Sequence, residues 1–167
     1  MQLYILNMED SGFAKKLQTI FSSYSQKRHF IRKSYSGKVM AVCISEDNDC
    51  SIDVEERRIR SEESIRYYLE NFTSFNINYK AEDIDLEWFY KAWTAMESYF
   101  KLTGLGFNVD KDFTLDLESK SIYRGNSVVA YVEFVDFRNY LICLCSEVKS
   151  SMQNVKVISF GWGDGDN

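Results

Sequence analysis

From Leu86 to Thr103 apolar side chains return every three or four residues, and Phe89, Ala92, Trp93, Met96 and Phe100 gather on one side of a helical projection. The pattern predicts a long helix that buries this stripe, with Gly104 placed to stop it. Glu97 and Lys101 fall at the edge of the stripe, beside Tyr90 and Thr94, one turn apart and facing the same way. Phe13 to Tyr24 repeats the helical spacing through Phe13, Leu17, Ile20, Phe21 and Tyr24. Ser61-Glu62-Glu63-Ser64 reads as a capping box that opens a further helix running to about Phe72.

Elsewhere the period shortens. Leu3 to Leu6 is a short apolar run and predicts a strand. Val39 to Ser45 reads as a buried strand, Glu46-Asp47-Asn48-Asp49 as the turn that ends it, and Cys50 to Glu55 as the second arm of a hairpin. Behind the long helix come four predicted strands, Phe113–Glu118, Val128–Phe137, Tyr140–Ser146 and Val155–Phe160. Ser34-Tyr35-Ser36-Gly37 carries a turn or loop signal, and Thr73 to Asp85 lacks a period and reads as a loop. The expected class is α+β: a mainly antiparallel sheet packed against one long helix and shorter helices. Residues 1–160 are expected to form a single domain and the Gly- and Asp-rich residues 161–167 a flexible tail.

Composition narrows the function. A chain of 167 residues with 45% hydrophobic and 27% charged residues is expected to be globular. A net charge of −5 argues against a general nucleic-acid binder. No apolar run is long enough to span a membrane, and the first ten residues lack the basic lead of a signal peptide. The cysteines, Cys43, Cys50, Cys143 and Cys145, form no Cys-x-x-Cys pair, and His29 is the sole histidine, so a zinc site is not expected. Reduced thiols in a cytoplasmic protein are the simpler reading.

The candidate chemistry is acidic. In a strand, Asp53 and Glu55 point to one face while Ile52 and Val54 take the apolar side. Adjacent carboxylates repel unless solvated or sharing a cation. Magnesium takes a few carboxylates and completes its octahedron with water and phosphate oxygens, which suits Asp53, Glu55 and Glu97, with Lys101 as a point charge for a phosphate. The plainer alternatives are an exposed Glu97–Lys101 helix pair and a solvated strand end whose acids pair with Arg57, Arg58 and Arg60. Lys27, Arg28, Arg32, Lys33 and Lys38 form a basic segment, suited either to an anionic ligand or to a solvated face.

Three motifs, in order, resemble those of the 4′-phosphopantetheinyl transferases of the surfactin-synthetase type. Ser34-Tyr35-Ser36-Gly37 followed by the strand Val39–Ser45 is similar to that family's Ser-His-Ser-Gly and strand. Ser51-Ile52-Asp53-Val54-Glu55 is similar to Gly-Ile-Asp-Ile-Glu. Trp93-Thr94-Ala95-Met96-Glu97-Ser98-Tyr99-Phe100-Lys101, with Gly104-Leu105-Gly106-Phe107 after it, is similar to Trp-Ser/Thr-x-Lys-Glu-Ser/Ala-x-x-Lys. The resemblance runs from about Arg32 to Phe160.

It implies an enzyme that moves the phosphopantetheine arm of coenzyme A onto a serine of an acyl or peptidyl carrier protein. Asp53, Glu55 and Glu97 would hold Mg²⁺ against the pyrophosphate, Glu97 would serve as base, and Lys101 would offset charge as the bond to 3′,5′-ADP breaks. Ser34 and Tyr35 would lie beside the nucleotide phosphates. Tyr35 stands in place of the family's histidine, Met96 in place of a lysine and Ser51 in place of a glycine. The surfactin type is built of two similar halves, whereas only about thirty residues precede the match here, so an N-terminally shortened, divergent member is expected. Lys27, Arg28, Arg32 and Lys33 would then supply the cations of the first half, or a second copy of the chain would, in a homo-oligomer. The alternative reading is a catalytically impaired member that binds a carrier protein or a partner.

Overall fold

The computed structural model describes residues 1–26, 28–46, 48–72, 75–77, 85–105 and 113–162. Lys27, residues 78–84, the Gly106-Phe107 pair and residues 163–167 lie outside them. The described elements run β1 (Gln2–Asn7), α1 (Phe13–Ser23), β2 (Phe30–Ser36), β3 (Val39–Ser45), β4 (Ser51–Glu56), α2 (Glu62–Phe72), β5 (Phe75–Ile77), α3 (Leu86–Thr103), β6 (Phe113–Asp116), β7 (Ser121–Arg124), β8 (Ser127–Phe137), β9 (Tyr140–Ser146), α4 (Lys149–Met152) and β10 (Lys156–Phe160).

These strands make two sheets, ordered β10-β1-β3-β2 and β4-β9-β8-β7-β6-β5. Most pairings are antiparallel; β1 with β10 and β5 with β6 are parallel. Alternation along the strands builds the layers. On one face of the first sheet Tyr4, Leu6, Val42 and Ile44 meet Ile20 of α1. On its other face Leu3, Ile5, Val39, Ala41 and Cys43 meet Ile52, Val54, Ile142 and Leu144 of the second sheet. The far face of that second sheet, through Val132, Cys143 and Cys145, receives Ala92, Ala95, Met96, Tyr99 and Phe100 of α3. The order of layers is therefore helix, sheet, sheet, helix, and the class is α+β as expected.

The long helix begins and ends where its sequence directs. Asp85 caps it by accepting a hydrogen bond from the Trp88 amide at 2.7 Å. Gly104 closes it in the left-handed region at φ 70°, its amide bonded to the Phe100 carbonyl. Ser61 supports the start of α2 by accepting from the Ser64 amide.

Three expectations need correction. Val39–Ser45 and Cys50–Glu55 do not form a hairpin: β3 pairs with β1 and β2, while β4 crosses to the second sheet and pairs with β9. The reason lies in burial, since Ile52 and Val54 face the inter-sheet core and Ser51 and Asp53 face α3, so β4 is covered on both sides. Ser34, Tyr35 and Ser36 belong to β2, and the turn is confined to Gly37 and Lys38. Part of the expected loop from Thr73 to Asp85 is strand β5, and the strand β7 and short helix α4 were not foreseen.

Candidate active site

The first and second sheets present β2 and β4 as end strands, and the two run beside each other without a backbone ladder. Side chains join them. Ser34 Oγ donates to Asp53 Oδ1 at 3.0 Å, and two residues on, Ser36 Oγ donates to Glu55 Oε2 at 3.4 Å. Ser36 Oγ also accepts from the Glu56 amide at 3.1 Å. Above this seam lies α3. Ser51 donates to the Ser98 carbonyl, which fixes the approach of β4 to the helix. Lys101, one turn past Glu97, donates to Asp53 Oδ1 at 2.6 Å and to Ser34 Oγ at 3.2 Å.

Strand and helix together form an open hollow of about 440 Å³ lined by Lys33, Ser34, Tyr35, Asp53, Val54, Glu55, Trp93, Glu97 and Lys101. Of the residues singled out from the sequence, it therefore gathers Lys33, Ser34, Tyr35, Asp53, Glu55, Glu97 and Lys101. Arg28 and Arg32 are not brought to it. Arg32 pairs with Asp49 at 2.9 Å, and the Arg28 guanidinium lies over the Phe30 ring. Lys27 falls outside the described residues.

The ammonium of Lys101 sits on Asp53 rather than on Glu97, so the helix pair is not what holds it. The arginines go elsewhere too. Arg57 bonds Glu87 and Asp136, Arg58 bonds Glu56, and Arg60 stacks on Tyr68, Phe89 and Tyr90.

Burial and mutual repulsion oppose the charges of these acids. Asp53 is 4% exposed. Its carboxyl is raised above the usual range because burial outweighs Lys101 and Ser34, whose ion pair and hydrogen bond pull the other way. The ion pair is weakened because Lys101 opens to solvent, its side chain 41% exposed. Burial, then the charge of Asp53, raises Glu55, against hydrogen bonds from Trp93 and Ser36. Glu97 is raised by burial, by Asp53 and by Glu55, with Lys101 opposing. Asp53 Oδ2 is buried and has no hydrogen-bond partner among the described residues.

An orphaned carboxylate oxygen, with two further carboxylates lining the same hollow, is the type of donor that a divalent oxygen-seeking cation takes. As placed, no group of three or more His, Cys, Asp or Glu among the described residues stands close enough to hold a metal, and Lys101 supplies the positive charge beside Asp53.

Two neighbours were not given a role from the sequence. Trp93 belongs to the apolar stripe of α3 yet lines the hollow, where its indole holds down the Glu55 carboxyl against burial. Ser36 lies in a stretch whose composition signals a turn. The signal for it was available: Ser34/Ser36 and Asp53/Glu55 share the same spacing of two, so aligned strands put one serine against each acid. The family's lysine position, Met96, is 1% exposed and lies in the core between α3 and the sheet.

No helix among the described residues is long and apolar enough to cross a membrane. No curated protein matches the chain. Residues 50–157, which hold Asp53, Glu55, Glu97 and Lys101, match the 4′-phosphopantetheinyl transferase superfamily. With nearly two thirds of its length matched, and the matched span carrying the acidic strand and the helix that close the hollow, the chain belongs to that superfamily, whose members are transferases of phosphopantetheine groups.

Proposed function

We propose that this protein transfers the 4′-phosphopantetheine arm of coenzyme A to a serine of an acyl or peptidyl carrier protein, in the manner of the surfactin-synthetase type, with Mg²⁺ as cofactor, in the cytoplasm. The observation that carries the reading is the buried Asp53 Oδ2, without a hydrogen-bond partner among the described residues, on an acid that lines a hollow with Glu55, Glu97 and Lys101. Asp53, Glu55 and Glu97 would hold the metal. When bound, it would offset charge on the pyrophosphate as the bond to the leaving group breaks.

The remaining chemistry belongs to the side chains. Glu97 is a carboxylate whose proton affinity is raised by burial and by its acidic neighbours, which suits a base. It would take the hydroxyl proton of the carrier serine, directly or through water. The serine oxygen would bond the phosphorus on the pantetheine side, and the phosphorus–oxygen bond to 3′,5′-ADP would break with its electron pair leaving on that nucleotide. Lys101, anchored at Asp53 but open to solvent, would offset the charge of the departing phosphate. Lys33 and Tyr35, exposed at the rim, would meet the nucleotide end.

The test is mass spectrometry of a carrier protein incubated with this protein, coenzyme A and Mg²⁺. The reading expects a phosphopantetheine mass gain that needs Mg²⁺ and is abolished by Glu97→Gln and Asp53→Ala. No gain across a varied panel of carriers overturns the activity.

One observation favours a second reading, a binding module that has lost catalysis. The Lys101 ammonium is seated 2.6 Å from Asp53 Oδ1, so a fixed charge stands where a metal would act. Thermal melting separates the two. A transferase should be stabilised jointly by Mg²⁺ and coenzyme A, since ligands that bind only the folded state raise Tm; a module that binds carriers alone should not respond.

A further inference from the structure

The resemblance would set Ser34 beside the nucleotide phosphates. Its hydroxyl is occupied otherwise. Ser34 is 7% exposed, and its Oγ lies between Asp53 Oδ1 at 3.0 Å and Lys101 Nζ at 3.2 Å. Ser36 holds Glu55 Oε2 at 3.4 Å and takes the Glu56 amide at 3.1 Å. Each serine of β2 thus faces one acid of β4, in step along both strands.

We propose that Ser34 and Ser36 are positioning residues: their hydroxyls fix the Asp53 and Glu55 carboxylates across the seam between the two sheets, which leaves Asp53 Oδ2 for a divalent cation. This rests on the metal-dependent reading above. Asp53 Oδ1 already takes two donors, Ser34 and Lys101, whereas Oδ2 takes none among the described residues. Pinning one oxygen leaves the other, buried and unpartnered among the described residues, as the ligand atom. No backbone ladder joins β2 to β4, so the side-chain bonds carry this alignment.

The turn after Ser36 reinforces it. Gly37 sits at φ +52°, and a Cβ there would lie 2.9 Å from both Glu56 Oε2 and the Tyr140 hydroxyl. The end of β2 is therefore packed directly onto the end of β4 and onto β9. Residues that orient metal-binding carboxylates typically change metal affinity about 10- to 100-fold when removed.

The test titrates Mn²⁺, a paramagnetic stand-in for Mg²⁺, into the full chain with saturating coenzyme A and no carrier, following free Mn²⁺ by electron paramagnetic resonance. Thermal melts show that each variant folds. Ser34→Ala and Ser36→Ala should each weaken Mn²⁺ binding about tenfold. In turnover the Mg²⁺ requirement should rise while KM for coenzyme A stays within about twofold, and Ser36→Thr, which keeps the hydroxyl, should restore wild-type Mn²⁺ binding.

If the alanine variants bind Mn²⁺ as the wild type does, the serine assignment is overturned while the metal-dependent reading stands. The same holds if KM for coenzyme A rises with Mn²⁺ affinity unchanged, which is what a serine on the nucleotide phosphates predicts. If the wild type takes up no Mn²⁺ with coenzyme A present, the metal-dependent reading falls and this one falls with it.

Discussion

Replacing Met96 by lysine would restore the residue found at this position in the motif the helix resembles, and the structure says it should harm the protein. Met96 is 1% exposed and packs among α3, β8 and β9 residues in the core. A lysine there must lose its proton or bring its charge into an apolar layer. Losing the proton at pH 7 costs about 4–5 kcal/mol, from an ordinary ammonium pKa of about 10.4 at about 1.36 kcal/mol per unit.

For a chain of this size each kcal/mol moves Tm by about 2–4 °C, so Met96→Lys should melt roughly 10–20 °C lower. The loss has a direction in pH. A lysine whose folded pKa is depressed gives a fold that gains stability as pH rises, because the unfolded chain also gives up its proton as pH approaches 10. Differential scanning calorimetry at pH 7 and pH 9.5 reads both effects. Met96→Leu, which conserves volume, should cost less than about 1.5 kcal/mol and serves as control. If Met96→Lys melts within about 3 °C of wild type at both pH values, the ammonium reaches water and position 96 is not on the core face.

Glu97→Gln removes a carboxylate that burial and Asp53 oppose, so without metal at pH 7 it should melt higher than wild type. A carboxyl raised on folding holds its proton longer in the folded state, so wild-type stability is lost as pH rises from the ordinary glutamate value of about 4.3, and the advantage of Glu97→Gln should vanish below that pH; an equal Tm at pH 7 would refute the repulsion. Gly37→Ala must hold a left-handed φ against Glu56 and Tyr140 and should lower the urea midpoint by an amount worth about 1–3 kcal/mol; an unchanged midpoint would show that the turn relaxes. All four cysteines are buried, so an aromatic disulfide reagent should label none quickly in the native protein and four after denaturation; rapid native labelling would contradict their burial.

Helix α3 was legible from residue order because its apolar stripe, its stop at Gly104 and its Glu97–Lys101 edge are all local signals. The same was true of β3 and of the side on which Asp53 and Glu55 fall. What could not be read was partnership. An apolar run, an acidic turn and a second alternating run look like a hairpin, but β3 pairs with β1 and, across the Gly37-Lys38 turn, with the strand before it, β2, and β4 found β9 some ninety residues later. β7 is only four residues long, with too few alternations to stand out, and α4 is a single turn. Within the site, the acids and Lys101 were found by chemistry. The partners of Arg28, Arg32 and Lys101 depended on pairing across elements, which spacing does not encode.

The seam between β2 and β4 has a consequence for how the protein can change over generations. A backbone ladder fixes strand separation at about 4.8 Å whatever side chains the strands carry. Where hydroxyls bridge two strands instead, separation follows from the length and branching of the residues chosen, here Ser34 and Ser36. One substitution at either position can move an acid relative to α3 by a fraction of an ångström while the inter-sheet core of Ile52, Val54, Ile142 and Leu144 stays as it is. The seam between the two sheets is thus an adjustment screw. Descendants of this chain can retune the distance between strand carboxylates and helix lysine without repacking the interior.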